Sequence, residues 1–382
     1  MSDSACEACL RRAGLLERLA PLIELVATGR PGGRSRELLA LPEAELVRAL
    51  VASDSERGRR HRDALERGDG DRDSPSSVRE RARAAGLWSG CRHRGPYPGR
   101  LADLGAEAPA ALFGRGDPDL LARLDAEPTA TIVGTRRASP YGREVASELA
   151  RMLAHAGVPV LSGMAHGIDS AAHAGALSSD GATVAVLGGG ADRASPAGQR
   201  RLYARIAERG LVLSELPPGA RPYRWSFPAR NRIMAALGTM TVVVEAATRS
   251  GSLITAEMAS DLGRELGAVP GPVDSWRSEG ANRMLADGAA VVRGAQDVLD
   301  VLFGPGARRV EEAGPPLDEW LRAVLDAVEG GARSPDAVAS SLRAGPSEVA
   351  TALARLELLG YLRAGPGGRY ARAALSTPVS HG

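Results

Sequence analysis

Between residues 129 and 302, short runs of β-branched and aliphatic residues alternate with longer stretches of helical period. This alternation restricts the fold more than any other feature of the chain. Residues 129–133, 158–161, 183–187, 211–214 and 241–245 read as buried strands, with shorter ones at 268–269 and 290–292. Helical patterns follow them: 140–156 with Ser139 as N-cap and Pro140 in the first turn, one ending near Leu177, one around 199–209, one from Arg230, one over 252–266 and a last near 296–302. Uniformly apolar strands separated by helices predict an α/β fold built on a doubly wound, mainly parallel sheet.

Glycine and hydroxyl residues gather after strand upon strand: Gly134-Thr135, Ser162-Gly163, Gly188-Gly189-Gly190 and Ser250-Gly251-Ser252. In such sheets the ligand crevice lies beyond the carboxyl ends of the strands, where helix N-termini offer N–H groups to anions. A phosphate-friendly face is therefore expected. It is not a dinucleotide fingerprint, because no G-x-G-x-x-G follows the first strand and no acidic residue is placed for a ribose.

The stretch from Arg221 to Ala256 concentrates chemistry on that face. Tyr223, Trp225 and Phe227 fall within five residues in a chain with 4 Trp, 6 Tyr and 3 Phe. Arg221, Arg224, Arg230 and Arg232 interleave with them, and no acid stands between Glu215 and Glu245. Aromatic faces stack bases and guanidinium forks grip phosphates, a pairing suited to single-stranded nucleic acid. The alternative is a surface loop whose Trp and Phe cap a core while the arginines are merely solvated. Net charge is only +2, so a nucleic-acid surface has to be a local patch.

All 48 basic residues are arginine. Without a lysine there is no P-loop and no Schiff-base chemistry. A triad reading also fares poorly. His166, Asp169 and His173 are close in sequence but fit capping and packing roles at a helix start, and the G-x-S-x-G elbow is absent. Glu215 and Glu245 end strands, where they serve either as acid/base groups or, the favoured reading, as partners that anchor nearby arginines. No apolar run reaches the length of a membrane span and no signal-type segment opens the chain, so a cytoplasmic protein without membrane attachment is expected.

The flanks differ from the centre. Residues 10–50 show helical spacing broken at 30–33, residues 53–83 are dense in both signs of charge and read as a solvated linker, and residues 88–116 are turn-rich. Beyond a Gly/Pro/acid-rich linker at 304–316, three short helical patterns (317–328, 334–342, 346–359) precede a Gly-rich two-stranded wing at 361–372, a winged-helix pattern. The expected division is a helical domain with charged linker over 1–92, the sheet domain over 93–305 and the winged helix over 314–376. The third short helix carries Glu348 and Glu357 beside Arg355, which favours a partner role over groove binding, although Arg363, Arg369 and Arg372 in the wing keep DNA contact open. The three cysteines form an odd pattern: Cys6-x-x-Cys9 and Cys91-x-His93 together offer four ligands of a structural zinc site, the alternative being three unrelated cysteines and a surface histidine.

Several of these segments match a family in order and at matching spacing. L-S-G-M-A-H-G-I-D-S-A-A-H-A-G-A-L (161–177), F-P-A-R-N-R-I-M-A-A-L (227–237), S-G-S-L-I-T-A-E-M-A-S-D-L-G-R (250–264), A-V-P-G (268–271) and E-G-A-N-R-M-L-A-D-G-A (279–289) resemble the DNA-processing protein A (DprA/Smf) family. I-V-G-T-R-R-A-S-P-Y-G (132–142) and Tyr97-Pro98 also fit, so the resemblance runs from about Tyr97 to Leu302. It implies a Rossmann-like domain that binds single-stranded DNA, usually as a homodimer, protects it and helps load the RecA-class recombinase in transformation or recombination. No catalysis and no required cofactor are implied. Carried over by residue, the DNA pocket would involve Gly134, Thr135, Arg136, Ser162, Gly163, Phe227, Arg230, Asn231, Arg232, Ser250, Gly251 and Ser252, with Arg224 beside them. Arg136, Arg230 and Arg232 would hold phosphates, Phe227 would stack or wedge a base, and Asn231 would read a base edge or hold the loop. At 192–202 the chain departs from the family, with Ser195 and Gln199 where Tyr-Pro and a later Asn are usual. Two other classes compete: a Rossmann-like phosphoribose-processing enzyme, which wants a P-G-G-x-G-T loop that is missing, and a winged-helix transcription regulator, which predicts duplex specificity.

Overall fold

The computed structural model describes residues 4–27, 33–51, 73–179, 181–309, 317–365 and 367–372. Most of the charged segment at 53–83, the break at 30–33 apart from Gly33, and the end of the 304–316 linker from 310 on lie outside the described residues. The chain divides into two compact units at Arg309/Val310.

The first unit is organised around a nine-stranded sheet. Its parallel part comprises β3 (Ala130–Val133), β4 (Val160–Ser162), β5 (Thr183–Val186), β6 (Leu211–Ser214), β7 (Met240–Val243), β8 (Glu265–Ala268) and β9 (Ala290–Val291). With β1 (Trp88–Gly90) and β2 (Leu112–Gly116) the strand order is β1-β2-β6-β5-β4-β3-β7-β8-β9. The chain therefore leaves β3 in one direction through β4, β5 and β6, then crosses back to β7 on the other side. The winding reverses between β3 and β7, and the crevice that such a reversal opens lies at their carboxyl ends. Every residue of β3 to β7 is buried, as parallel strands covered on both faces must be.

Among the described residues, four helices precede the sheet in sequence: α1 (Glu7–Ala27), α2 (Gly33–Ala40), α3 (Glu43–Val51) and α4 (Pro75–Ala84). Leu15, Leu19, Leu22 and Ile23 of α1 pack with Leu38, Leu46 and Leu50 and also with Leu216, Trp225 and Ala229. The N-terminal helices thus share a core with the segment that follows β6. The helices interleaved with the sheet are α5 (Asp119–Ala126), α6 (Pro140–His155), α7 (Ile168–Ser178), α8 (Arg200–Arg209), α9 (Ser226–Leu237), α10 (Gly251–Asp261), α11 (Glu279–Ala286) and α12 (Ala295–Phe303).

The helices α5 and α11 have no counterpart in the sequence reading, and at two further places the structure departs from it for identifiable reasons. The turn-rich approach at 88–116 contains β1 and β2, an antiparallel edge in which Trp88 pairs with Gly114. A Cβ on Gly114 would come 2.0 Å from the Trp88 ring, so the glycine that obscures the strand is what admits the indole. The helix expected over 252–266 ends at Asp261. Gly263 takes φ +66°, its N–H reaches Ser260 O and Arg264 N–H reaches Ala259 O, a Schellman stop that frees Glu265 to begin β8.

The second unit holds α13 (Glu319–Glu329), α14 (Pro335–Leu342) and α15 (Pro346–Leu358), then the antiparallel pair β10 (Leu362–Gly365) and β11 (Arg369–Arg372). Val324, Leu325, Val338, Leu353, Leu356 and Tyr361 form its core. This is the three-helix, two-strand plan of a winged helix. No described helix is long and apolar enough to cross a membrane.

Candidate nucleic-acid interface

At the reversal point a cleft of about 570 Å³ opens. Gly134 and Arg136 come from the loop after β3, Ala165 and Asp169 from the approach to α7 and its first turn, and Arg224 to Met234 from the segment entering α9. Ser250, Gly251 and Ser252 come from the start of α10, while Glu24, Ala27 and Ser35 of α1 and α2 add a wall. Nine of the residues carried over from the family pattern line this one cleft: Gly134, Arg136, Arg224, Phe227, Arg230, Asn231, Ser250, Gly251 and Ser252.

Arg230 is the centre of its electrostatics. Only 5% of the residue is exposed, yet its compensation is thin: Nη1 donates to the Val186 carbonyl, Nη2 stands 3.9 Å from Asp169, and Nε has no hydrogen-bond partner among the described residues. Burial pulls its pKa down to about 10, with the nearby Arg136 adding to the fall and Asp169 opposing it. The group remains cationic at neutral pH. Burial also pushes the Asp169 carboxyl up, against the pull of Arg230 and of the Ala165 and Gly163 N–H groups. A buried cation so loosely matched favours any anion that reaches it.

Gly163 explains how the guanidinium fits. A Cβ there would lie 1.8 Å from Arg230 Nη1. Gly163 is thus a seat for Arg230 and not a lining residue, and Ser162, just before it, is fully buried with its hydroxyl donating to Ile132 O at 2.6 Å. Thr135 is spent on the loop: its N–H donates to Glu245 O, and its hydroxyl accepts from Arg137 N. At the mouth, exposed Arg136 lies 5.1 Å over the half-buried Phe227 ring, within cation–π range. Asn231 Nδ2 reaches the Gly251 carbonyl at 3.4 Å and so ties α9 to the start of α10. Ser250 caps α10 by accepting from Ser252 N–H, which leaves this helix N-terminus on the cleft wall.

Arg232 sits elsewhere. It is 1% exposed on the opposite side of α9, with Nη1 and Nη2 on the two Glu215 oxygens at 2.9 and 2.6 Å and Nε on Glu107 O at 2.8 Å. Glu215 therefore anchors an arginine, as its sequence context suggested. Glu245 does something different, accepting from Ser139 N–H and Oγ at 2.9 and 2.5 Å at the start of α6. That helix end is closed by a carboxylate. The triple glycine after β5 is not an open phosphate loop either: Gly188 packs under Ser226 and Phe227, Gly189 meets Ala220 and Pro222, and Gly190 N–H donates to Ala220 O. Of His166 and His173 only His173 has a packing role, His166 being exposed. His173 is fully buried with Nδ1 2.7 Å from Thr183 Oγ1, and His166 meets Gln199 at 3.2 Å.

The aromatic run divides. Trp225 is core, its indole N–H on Ala20 O at 3.0 Å and its backbone N–H on Glu24, while Phe227 faces the cleft. Sequence reasoning missed a neighbouring pair: Arg277 lies 4.6 Å over the half-exposed Trp276 ring, and its Nε donates to Arg137 O beside Arg136. The adjacent W-R at 276–277, in one of only 4 tryptophans, was the available signal.

Away from the cleft, Cys6, Cys9, Cys91 and His93 come together despite the long gap between them, their ligand atoms all within 4.8 Å of one another.

The sequence and the fold agree with known proteins. Residues 90–303 match the family described as DNA recombination-mediator protein A, and residues 309–368 match the DprA winged helix domain. A DprA of Mycobacterium tuberculosis is 44% identical over 276 residues, covering 68% of this chain and 71% of that protein. Protein Smf of Escherichia coli is 37% identical over 285 residues, covering 71% and 74%. Among solved structures, DNA processing protein A of Streptococcus pneumoniae superposes with a TM-score of 0.57 at 30% identity, covering 77% of this chain and 96% of that one. That of Helicobacter pylori, described for its single-stranded DNA binding mode, gives a TM-score of 0.50 at 31% identity, covering 54% and 92%. With matched motifs, matched fold and a family match over more than half its length, this chain belongs to the DNA recombination-mediator protein A family.

Proposed function

We propose that the cleft between the carboxyl ends of β3 and β7 binds single-stranded DNA, and that the protein acts as a recombination mediator. The observation that carries this reading is the incompletely matched guanidinium of Arg230, buried beside Phe227 and Arg136 in a cleft with a helix N-terminus in its wall. Arg230 and Arg136 hold consecutive phosphates, Phe227 stacks a base, and the N-terminus of α10 receives a further phosphate. Arg224 extends the positive rim. Gly163, Thr135 and Ser162 shape the site from behind, and Arg232 fixes the helix that carries Arg230. Trp276 with Arg277 offers the next stacking position along the strand.

The role is binding without catalysis or cofactor. The acidic groups that line the cleft serve structure, Asp169 balancing Arg230 and Glu24 accepting from the Trp225 N–H, and behind them Glu245 caps α6 and His173 bonds Thr183. Bound in this way a strand is shielded from nucleases and presented to a RecA-class recombinase in the cytoplasm, with a homodimer as the working unit. The similarity to the Helicobacter pylori protein, whose structure is described for its single-stranded DNA binding mode, supports the ligand class.

Fluorescence anisotropy with matched single- and double-stranded oligomers across a salt series tests the reading. Single-strand preference and a steep loss of affinity with salt are expected, because counterions are released on binding. Equal affinity for both forms would overturn it.

A further inference from the structure

The cluster at the start of α1 plays no part in the cleft, and its geometry is that of a metal site. Cys6 immediately precedes α1 and Cys9 lies in its first turn, while Cys91 directly follows β1 and His93 sits in the tight turn closed by reciprocal Cys91–Arg94 backbone hydrogen bonds. His93 Nδ1 is 3.6 Å from Cys6 Sγ and 3.5 Å from Cys9 Sγ. Bonds of about 2.3 Å to sulfur and about 2.0–2.1 Å to nitrogen, set at a tetrahedral angle, place N and S about 3.6 Å apart. The distances are thus the edges of a zinc tetrahedron. No ligand atoms in the set are more than 4.8 Å apart, a spread that small χ1 rotations close to the edge of about 3.8 Å required between thiolates.

Other features suit a metal. Cys9 and Cys91 are buried, whereas His93 is exposed and closes the set from the solvent side. The Cys6 N–H points at Cys91 Sγ at 3.4 Å, the kind of outer hydrogen bond that steadies a metal thiolate. Three thiolates and a divalent ion carry one net negative charge, and Arg92 and Arg94 flank the histidine. Every cysteine of the chain is used, and an odd number cannot be consumed by disulfides within the chain.

We propose that Cys6, Cys9, Cys91 and His93 bind a structural Zn²⁺ that fastens the start of α1 to the edge strand β1. All four tetrahedral positions are filled by protein, which leaves no open position for catalysis. On binding, the three thiols release their protons, and His93 ligates through Nδ1 with its proton on Nε2. Arg92 Nε, which faces Nε2 at 3.3 Å, then turns to solvent.

The full chain, purified without chelator under reducing conditions, is expected to carry one zinc per chain by elemental analysis. Replacement with Co²⁺ should give the intense visible absorption of a tetrahedral cobalt–thiolate centre. Cys6→Ser could fail to fold, so His93→Ala, at an exposed position, provides the second variant. It should keep its circular dichroism and its oligonucleotide binding while losing zinc to a chelator more readily, by well over the roughly tenfold that loss of a supporting partner costs. Three results would each overturn the proposal: metal-free protein with reduced thiols, an octahedral cobalt spectrum, or zinc retention unchanged in His93→Ala.

Discussion

Arg230 and Arg232 lie two residues apart on α9, both buried, and they do opposite work. Arg232 is saturated by both oxygens of Glu215, by two backbone carbonyls and by the surrounding core. Arg230 has one carbonyl, a carboxylate at 3.9 Å and an Nε without a partner among the described residues. One face of the helix neutralises its charge and the other leaves it incompletely matched. Burial alone therefore says nothing about whether an arginine is structural; the state of its donors does.

That contrast can be broken experimentally. Arg232→Ala leaves Glu215 buried without a partner, so it should destabilise the fold by about 3–5 kcal/mol, read as a fall in denaturation midpoint, with single-strand affinity per folded molecule unchanged. Normal stability with lost DNA binding would reverse the roles of the two faces. Arg230→Ala should instead weaken single-stranded DNA binding by about 1–3 kcal/mol through loss of a charge-assisted contact, measured by anisotropy at fixed salt. A smaller effect follows for His173, which lies under the same site and is held neutral by burial and by Arg230, its pKa lowered from 6.5 to about 3. A base whose folded pKa is depressed contributes full stability above 6.5 and loses it between 6.5 and about 3, because only the unfolded chain takes up the proton there. Stability should drop by about 1.4 kcal/mol between neutrality and roughly pH 5.5 from this residue alone, and His173→Asn should remove that part of the slope in urea titrations. At the rim, Arg136→Ala should lower the slope of log affinity against log salt by about 0.7, the share of one single-strand phosphate.

Much of the site was legible because strand-end glycines and hydroxyls mark the crevice of a wound sheet whatever the ligand. The strand–helix alternation likewise placed β3 to β7 to within a residue or two. What sequence could not resolve is direction. From Ala229 to Leu237 every residue of α9 is buried, so no polar face exists to say which arginine turns toward the cleft. Spacing gives Arg230 and Arg232 equal standing, and only the position of Glu215 at the end of β6 separates them. Trp225 and Phe227 are divided in the same way, by an N-terminal helix far away in sequence. The edge pair β1–β2 was hidden by the glycine that accommodates Trp88, and β8 by a helix stop that depends on one positive φ.

The wall contributed by α1 and α2 has a practical consequence. The matched family region begins at residue 90, whereas Glu24, Ala27 and Ser35 border the cleft and Ala20 receives the Trp225 indole. A fragment trimmed to the matched region would expose Leu216, Trp225 and Ala229 to water and open the groove on one side. Expression boundaries drawn from homology alone would then yield a sticky, half-walled receptor, and weak oligonucleotide capture by such a fragment would report the missing helices and not the chemistry of the groove.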